Sequence, residues 1–319
     1  MISASVKRIT SLIEFWLKVE KTLRHHQRQM LRMLLSLGWG IARTPADRPI
    51  FVVGCSRAGT TLVYKTLSAS PVLGTLNRET HDFWVGLHPL AEKAWATHAL
   101  SAQDVRPRDR DLVTRYFYAW TGKSRWVDKN NQNSLCVPYL QALFPDAYFV
   151  YIKRHPGDNL NSLIEGWGKE SKFSTWSDQL PEQVAVDDGR YTQWCFFLAE
   201  GWREYLRSPI EEVAAFQYRA ANDAILAAKS EVPSDHWVEV FYEDLVRDPV
   251  AGFRGVFEAC GLPFESRMEE ICRNVLDTPY DAFGEIRLDK WKDSLNRARV
   301  ERVLPLVAET AGAMGYSQS

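Results

Sequence analysis

Residues 50–61 read IFVVGCSRAGTT, and this stretch decides the fold. The four apolar residues 50–53 predict a short, fully buried strand. GCSRAGTT, residues 54–61, has the G-x-x-x-x-G spacing of a phosphate-binding loop, and a helical pattern follows at residues 62–68. In such a unit the glycines let successive backbone N–H groups face an anion at the helix N-terminus. The stretch therefore predicts a site for a phosphate-like group.

Three further segments have the character of buried strands and alternate with helical patterns. They are RWVD at residues 125–128, AYFVYI at residues 147–152 and HWVEVF at residues 236–241. Short apolar strands separated by helices predict an α/β fold with a central parallel sheet flanked by helices. Ligands of such sheets bind at the carboxyl ends of the strands. We therefore expect a single P-loop-like domain over residues 47–319, with its site at that edge.

The bulk composition bears on the class of protein. The 319 residues carry a formal net charge of −1 and are 45% hydrophobic, so nothing indicates a nucleic-acid partner. The five cysteines are scattered, with no C-x-x-C and no histidine at ligand spacing. We therefore expect neither a disulfide framework nor a metal site. These features favour a reducing, cytoplasmic compartment.

Residues 1–46 are predicted to form a separate N-terminal segment, with an amphipathic helix over residues 6–37. Up to residue 45, eight Lys and Arg accompany two Glu, a local net charge of +6. A basic amphipathic helix can lie on an anionic membrane surface, which would make the protein membrane-associated. The interpretation that the pattern favours is a helix packed on the main domain with its basic face in solvent. No stretch there is long and apolar enough to span a bilayer.

The loop lacks a lysine that nucleoside triphosphatases require. Their motif ends in Gly-Lys-Ser/Thr, whereas here Thr60 follows Gly59, and the cation of the loop is Arg57. The strand at residues 147–152 runs into a Lys-Arg pair rather than into an Asp that could help to hold magnesium. The pattern favours a phosphate held by protein cations without a metal. A P-loop kinase or nucleotide hydrolase is the alternative function, and a non-catalytic nucleotide-binding protein is a third.

The loop CSRAGTTL, residues 55–62, resembles the 5′-phosphosulfate loop of sulfotransferases that use 3′-phosphoadenosine-5′-phosphosulfate (PAPS). It is most similar to the Golgi-type and bacterial branch, which includes tyrosylprotein and carbohydrate sulfotransferases. Three more segments match the family in order: YIKRHPGD at residues 151–158, FYEDL at residues 241–245 and KWK at residues 290–292. The resemblance implies transfer of a sulfuryl group from PAPS to the hydroxyl of a small molecule, glycan, lipid or protein side chain.

The resemblance also implies which residues bind PAPS. Around the 5′-phosphosulfate they are Ser56, Arg57, Ala58, Gly59, Thr60 and Thr61, with Ala58 in place of the usual Ser. Arg154 and Ser162 would hold the 3′-phosphate. Tyr242, Lys290 and Lys292 would lie near the nucleotide.

Glu79 is the residue that the resemblance places as general base. It lies in LNRET, residues 76–80, where tyrosylprotein sulfotransferases carry a Glu-Thr pair, and it would accept the proton of the acceptor hydroxyl. Two alternatives stay open. His81 or Asp82 could take the role after a small shift of register, or Glu79 could form a surface ion pair with Arg78.

Two cations are candidates for stabilising charge on the transferred group. One is Arg57, and the other is Lys129 in DKNNQN, residues 128–133, which resembles a Lys-x-Pro segment of the family with Asn in place of the expected residues. The alternative for Lys129 is a solvated loop charge. Asn133 could bond the sulfuryl oxygens or the loop. Cys55 has no evident His partner, so it is interpreted as a small residue of a tight loop.

Aromatic residues are frequent in two neighbouring segments. From residue 191 to residue 205 they recur at helical spacing, which predicts a core-facing stripe of a helix. Residues 165–188 interleave aromatics with Gly and Ser, which predicts a loop or lid that selects the acceptor. Aromatic faces with polar neighbours would suit a sugar or a phenol.

Overall fold

A single parallel sheet lies at the centre of the computed structural model, which describes residues 26–174, 177–277 and 286–317. The strands lie in the order β2-β1-β3-β4 and have these bounds: β1 Ile50–Val53, β2 Val127–Lys129, β3 Tyr148–Lys153 and β4 Trp237–Phe241. Each neighbouring pair runs parallel. The predicted α/β fold, with a central parallel sheet flanked by helices, is confirmed.

Helices connect the strands and cover the sheet. The first, α1, spans residues 26–42. The others are α2 Thr60–Ser68, α3 His81–Leu87, α4 Asp109–Thr121, α5 Val137–Leu143, α6 Pro156–Trp167, α7 Glu170–Phe173, α8 Val186–Gly189, α9 Ile210–Ala228, α10 Tyr242–Arg247, α11 Pro249–Ala259, α12 Ser266–Arg273 and α13 Arg297–Ala313. Short 3₁₀ turns at Asn131–Leu135 and Lys290–Asp293 matter for the site below.

Successive residues of β1 enter two different hydrophobic cores. Ile50 and Val52 point to one side of the sheet, where they share a core with Val150. Phe51 points to the other side and stacks on Phe149, with 5.7 Å between the ring centroids. Because side chains alternate along a strand, a strand buried on both faces reads as a continuous apolar run. This explains the sequence pattern and fixes the loop that follows β1 at the edge of the sheet.

The prediction of a helix over residues 191–205 is wrong, although most of its aromatic residues do lie in the core. Only one 3₁₀ turn, Trp202–Tyr205, forms there. Phe196 and Gly201 have φ angles of 71° and 82°, which a right-handed helix does not accommodate. Trp194 is fully buried, and its indole N–H donates to a backbone carbonyl three residues later at 2.8 Å. Backbone turns, rather than helical periodicity, bring these rings inside.

Helix α1 agrees with the predicted packing only in part. Trp39 is buried and Arg28 is exposed, as expected, whereas Met30 and Leu34 are exposed and Arg32 lies over the ring of Trp120. The expectation that the apolar residues face the domain is therefore wrong for the exposed side of this helix. Residues 6–25 of the predicted helix lie outside the described residues, and the boundary at residue 46 stays a prediction. Within the described ranges, no helix combines the length and hydropathy that crossing a bilayer requires.

Candidate active site

The loop between β1 and α2 bends through two left-handed residues. Arg57 has a φ angle of 67°, and Gly59, which precedes the first residue of α2, has a φ angle of 103°. A Cβ atom at position 59 would overlap the ring of Tyr242, so only glycine fits at this position. The loop therefore closes tightly around the N-terminus of α2, as the sequence predicts.

Two neighbouring elements hold this loop in place. The Gly54 N–H donates to Ser134 Oγ at 3.0 Å, and the same hydroxyl donates to Gly54 O at 2.8 Å. From α6, the Asn159 side-chain amide donates to Ser56 O at 2.9 Å. Hydrogen bonds from both sides restrict the backbone of the loop before any ligand binds.

Arg57 and Arg154 meet at the loop. Arg154 Nη1 donates to Arg57 O at 2.7 Å, and its guanidinium lies 4.4 Å from the ring centroid of Tyr242. Arg57 Nε donates to Ser162 Oγ at 3.4 Å, so the two residues predicted to hold the 3′-phosphate both contact Arg57. Arg154 Nε and Ser56 Oγ are buried and have no hydrogen-bond partner among the described residues. Buried polar atoms of this kind are costly unless a ligand or water satisfies them.

Glu79 and Lys129 form an ion pair beside the loop. The Lys129 side chain is only 5% exposed, so it is not a solvated loop charge, and its Nζ also donates to Asn131 Oδ1 at 3.3 Å. Glu79 is 34% exposed and pairs with Lys129 rather than with Arg78. The pair puts a carboxylate that can take a proton next to a fixed positive charge.

Nine of the predicted site residues line one pocket, namely Ser56, Arg57, Gly59, Thr60, Thr61, Glu79, Lys129, Arg154 and Tyr242. Ala58 is buried behind the loop, in the core. Cys55 is also buried, and burial raises the pKa of its thiol, as befits a structural residue. Asn131 and Ile286 also line the pocket without having been predicted from the sequence, and Phe196, predicted as part of the core-facing aromatic stripe, lines it too.

Asp128 anchors the segments that carry Glu79 and Lys129. Its carboxylate is 1% exposed and accepts hydrogen bonds from Thr80 Oγ1 at 2.6 Å, Trp84 Nε1 at 3.0 Å and Asn133 Nδ2 at 2.9 Å. Burial raises the pKa of this carboxyl, and the three hydrogen bonds oppose that rise. Asn133, proposed as a sulfuryl ligand, is therefore engaged with Asp128. It faces a separate cavity of about 430 Å³.

A small aromatic-walled cavity adjoins Glu79. His81 and Asn131 line it together with Phe173 and Phe196, whose ring centroids are 5.0 Å apart. Phe173 belongs to the segment predicted as an acceptor-selecting loop, which here consists of the end of α6, the short α7 and residues up to 188. Residues 175–176 of it lie outside the described residues. His81 Nε2 lies 3.1 Å from Asp82 Oδ1.

Lys290 and Lys292 are not among the residues that line the pocket of the loop. Lys290 Nζ is 3.7 Å from Glu165 Oε2, and Lys292 pairs with Asp289 at 2.9 Å. Asp158 holds this segment, because its carboxylate accepts the backbone N–H groups of Asp289 at 2.8 Å and Trp291 at 3.1 Å. The Asp of the RHPGD signature thus ties the C-terminal segment to α6.

Comparison with known proteins finds solved structures with a similar fold. The solved structures similar to this one include sulfotransferase STF9 from Mycobacterium avium, with 19% identity over 88% of this chain and 80% of that chain and a TM-score of 0.51. They also include the sulfotransferase domain of the Synechococcus PCC 7002 olefin synthase, with 18% identity, coverage of 86% and 97%, and a TM-score of 0.48. At these identities the likeness concerns the fold. No curated protein sequence matches the chain.

The family comparison reaches further than the fold. The model of the Sulfotransferase family matches residues 49–194 and 186–266. The matched region includes the loop after β1, the Glu79–Lys129 pair and the strand end that carries Arg154. The match covers more than half of the residues of this chain, and the chain therefore belongs to the sulfotransferase family.

Proposed function

We propose that this enzyme transfers a sulfuryl group from PAPS to a hydroxyl acceptor without a metal ion, with Glu79 as the general base. The observation that carries the proposal is the ion pair of Glu79 with the buried Lys129 in the pocket that Arg57 and the phosphate-type loop line. Pure nucleotide binding would not need a carboxylate beside an anionic donor. The acceptor is a small molecule, glycan, lipid or protein side chain.

The donors around the loop fit the two anionic ends of PAPS. Ser56, Thr60 and Thr61 line the pocket at the N-terminus of α2, where hydroxyl and backbone N–H groups suit the 5′-phosphosulfate. Arg154, with its buried and unpartnered Nε, would hold the 3′-phosphate together with Ser162. Lys290 and Lys292 would have to reach the nucleotide from the segment that Asp158 holds.

The chemistry follows from the positions of three charged groups. The acceptor oxygen attacks sulfur while the bond from sulfur to the phosphate oxygen breaks, which leaves adenosine 3′,5′-bisphosphate. Glu79 takes the hydroxyl proton, and Lys129 and Arg57 stabilise negative charge on the sulfuryl group and the leaving oxygen. The cavity between Phe173 and Phe196 adjoins Glu79, so an acceptor ring lying there would bring its hydroxyl to the base.

The alternative as a P-loop kinase or nucleotide hydrolase finds little support. Within the described residues, the only Asp in a strand of the sheet is Asp128, the middle residue of β2, and its carboxylate accepts three hydrogen bonds from Thr80, Trp84 and Asn133. It is buried and does not line the pocket of the loop. The cations that line the pocket are instead Arg57, Lys129 and Arg154.

The proposal predicts that chelation leaves the reaction intact. Because protein cations take the place of a metal, EDTA should not lower the rate of sulfuryl transfer from labelled PAPS by more than the error of the assay. Loss of activity that magnesium restores would favour the kinase-like alternative. The purified enzyme, dialysed against EDTA and assayed with and without added magnesium, provides the measurement.

Arg154→Ala should weaken binding of adenosine 3′,5′-bisphosphate by about 10–100-fold, because it removes a charge-assisted hydrogen bond to the 3′-phosphate. Binding of adenosine 5′-phosphosulfate, which lacks that phosphate, should change little. Titration calorimetry with both nucleotides measures the difference, and Arg247→Ala, which changes an exposed arginine at the end of α10, is the matched control. Equal weakening for both nucleotides would show that Arg154 only supports the loop through Arg57 O.

Asp128→Ala should lower kcat by about 10–100-fold, because the segments with Glu79 and Lys129 lose their common anchor. Asp128→Asn should keep most activity, since the Thr80 hydroxyl can accept from the new amide while its carbonyl still accepts from Trp84 and Asn133. KM for PAPS should stay close to normal in both variants. Thr80→Val, which removes one of the three hydrogen bonds, serves if the Ala variant does not fold. Normal kcat in a destabilised Asp128→Ala enzyme would make Asp128 structural only.

Glu79→Gln should lower the transfer rate by about 10²–10⁴-fold, the usual contribution of a general base. It keeps the shape of the side chain but cannot take a proton, so affinity for adenosine 3′,5′-bisphosphate should barely change. The loss should shrink with an acidic acceptor such as a nitrophenol, which needs less help to lose its proton. His81→Ala is assayed in parallel. Near-normal turnover of Glu79→Gln beside an inactive His81→Ala would move the base to His81.

A further inference from the structure

Helix α1 turns an apolar face toward solvent. Five large apolar side chains on it are 59–88% exposed: Met30, Met33, Leu34, Leu37 and Ile41. Their spacing of three and four residues places them on one side of the helix. Monomeric soluble proteins rarely expose a contiguous stripe of this size, and such stripes mark contacts with proteins or membranes.

Polar contacts on the opposite side fix this orientation. The Arg32 guanidinium lies 4.6 Å from the ring centroid of Trp120, and Arg115 Nε donates to Ser36 Oγ at 2.8 Å. Trp39 is 4% exposed, and its indole N–H donates to Thr44 O at 2.7 Å. The side of α1 that contacts α4 is therefore already occupied by specific interactions, and the apolar side is the one left facing outward.

A basic pocket of about 710 Å³ lies between α1, α3 and α4. Arg32, Arg78 and Arg115 line it, and both Arg32 and Arg78 lie over the ring of Trp120, at 4.6 Å and 5.7 Å. In the described part of the chain, none of these three arginines forms an ion pair with a carboxylate. One carboxylate, Asp82, also lines the pocket, so the three guanidinium groups leave an excess of positive charge that is suited to phosphate.

We propose that α1 docks this protein on an anionic membrane surface. The apolar face of α1 enters the interface between head groups and acyl chains, and the basic pocket takes phosphate head groups. The charge of this segment favours a lipid surface, rather than a second copy of the chain, as the partner of the apolar face. Residues 1–45 carry a net charge of +6 in a protein whose total is −1, so two such segments repel each other and an anionic surface attracts them.

The docking surface lies next to the transfer site without depending on it. Arg78 and Asp82 line the basic pocket, whereas Glu79 and His81, between them in sequence, line the cavity beside the site. A membrane bound through α1 would therefore lie beside the segment that carries the proposed base. The proposal concerns binding alone, so it can be tested on protein that shows no transfer activity.

Flotation of the full chain with vesicles tests the proposal. Vesicles of phosphatidylcholine with one third phosphatidylserine should carry the protein to the top of the gradient, and vesicles of phosphatidylcholine alone should carry far less. Raising the salt concentration should release the protein, since the electrostatic part of the attraction is screened. Absence of binding to the anionic vesicles, or equal binding to both kinds, would overturn the proposal.

Variants separate the two parts of the surface. Leu34→Glu with Leu37→Glu should lower the partition coefficient by about tenfold or more, because the apolar face no longer enters the interface. Arg32→Gln and Arg78→Gln should each lower it roughly fivefold. Leu306→Glu on α13 and Arg273→Gln on α12 are exposed matched controls that should bind as the natural protein does.

Two results would contradict these assignments. If the α1 variants bind anionic vesicles as tightly as the controls do, the membrane contact lies elsewhere and the proposal is wrong. Sedimentation velocity provides the second test. A dimer that dissociates in the Leu34→Glu, Leu37→Glu variant would show that the apolar face joins two copies of the chain instead of binding lipid.

Discussion

The carboxylate of Asp128 is the interaction on which the arrangement of the site depends. It is buried in the middle of β2, and in the described structure it forms no ion pair, since Lys129 pairs with Glu79 instead. Removing a carboxylate from water costs several kcal/mol, and three hydrogen bonds to the carboxylate, each worth about 1.5–3 kcal/mol, offset part of that cost. Burial raises the pKa of Asp128 above its ordinary value, so the ionised form is less favourable in the folded chain than in water. Its three hydrogen bonds join the segment that carries Glu79 to the segment that carries Lys129.

The phosphate-type loop is also held by hydrogen bonds from other segments, but here the groups that are bound belong to the backbone. Its carbonyl and N–H groups are bound by Ser134 on one side and by Asn159 and Arg154 on the other. Asp158, one residue before Asn159, anchors the segment around Trp291. The first turn of α6, through Asp158 and Asn159, thus holds two chain segments that are far apart in sequence. Because these hydrogen bonds already order the loop, little conformational entropy is lost when the nucleotide binds.

The sequence predicts those parts of the molecule that follow from local chemistry. The apolar runs indicate the strands, and the glycine spacing indicates the loop, because Gly59 meets a steric requirement that no other residue meets. The role of Asp128 could not be read in this way, since its partners Thr80, Trp84 and Asn133 come together only in the folded chain. The helix predicted from the aromatic residues of 191–205 is wrong for a related reason. Their spacing fits a helix, but burial through turns at positive φ produces the same composition without one.

Helix α1 shows where amphipathic periodicity stops being informative. A period of 3.6 residues indicates that a helix has an apolar face, but it does not indicate what that face meets. The usual assumption assigns that face to the domain core. Here Arg32, Ser36 and Trp39 make the contacts with the domain or the adjoining turn, and the apolar face is left outside. Which face of an amphipathic helix packs on a domain depends on the residues at the surface of that domain. Here the surface carries Trp120 and Arg115, which contact the polar residues Arg32 and Ser36 of α1.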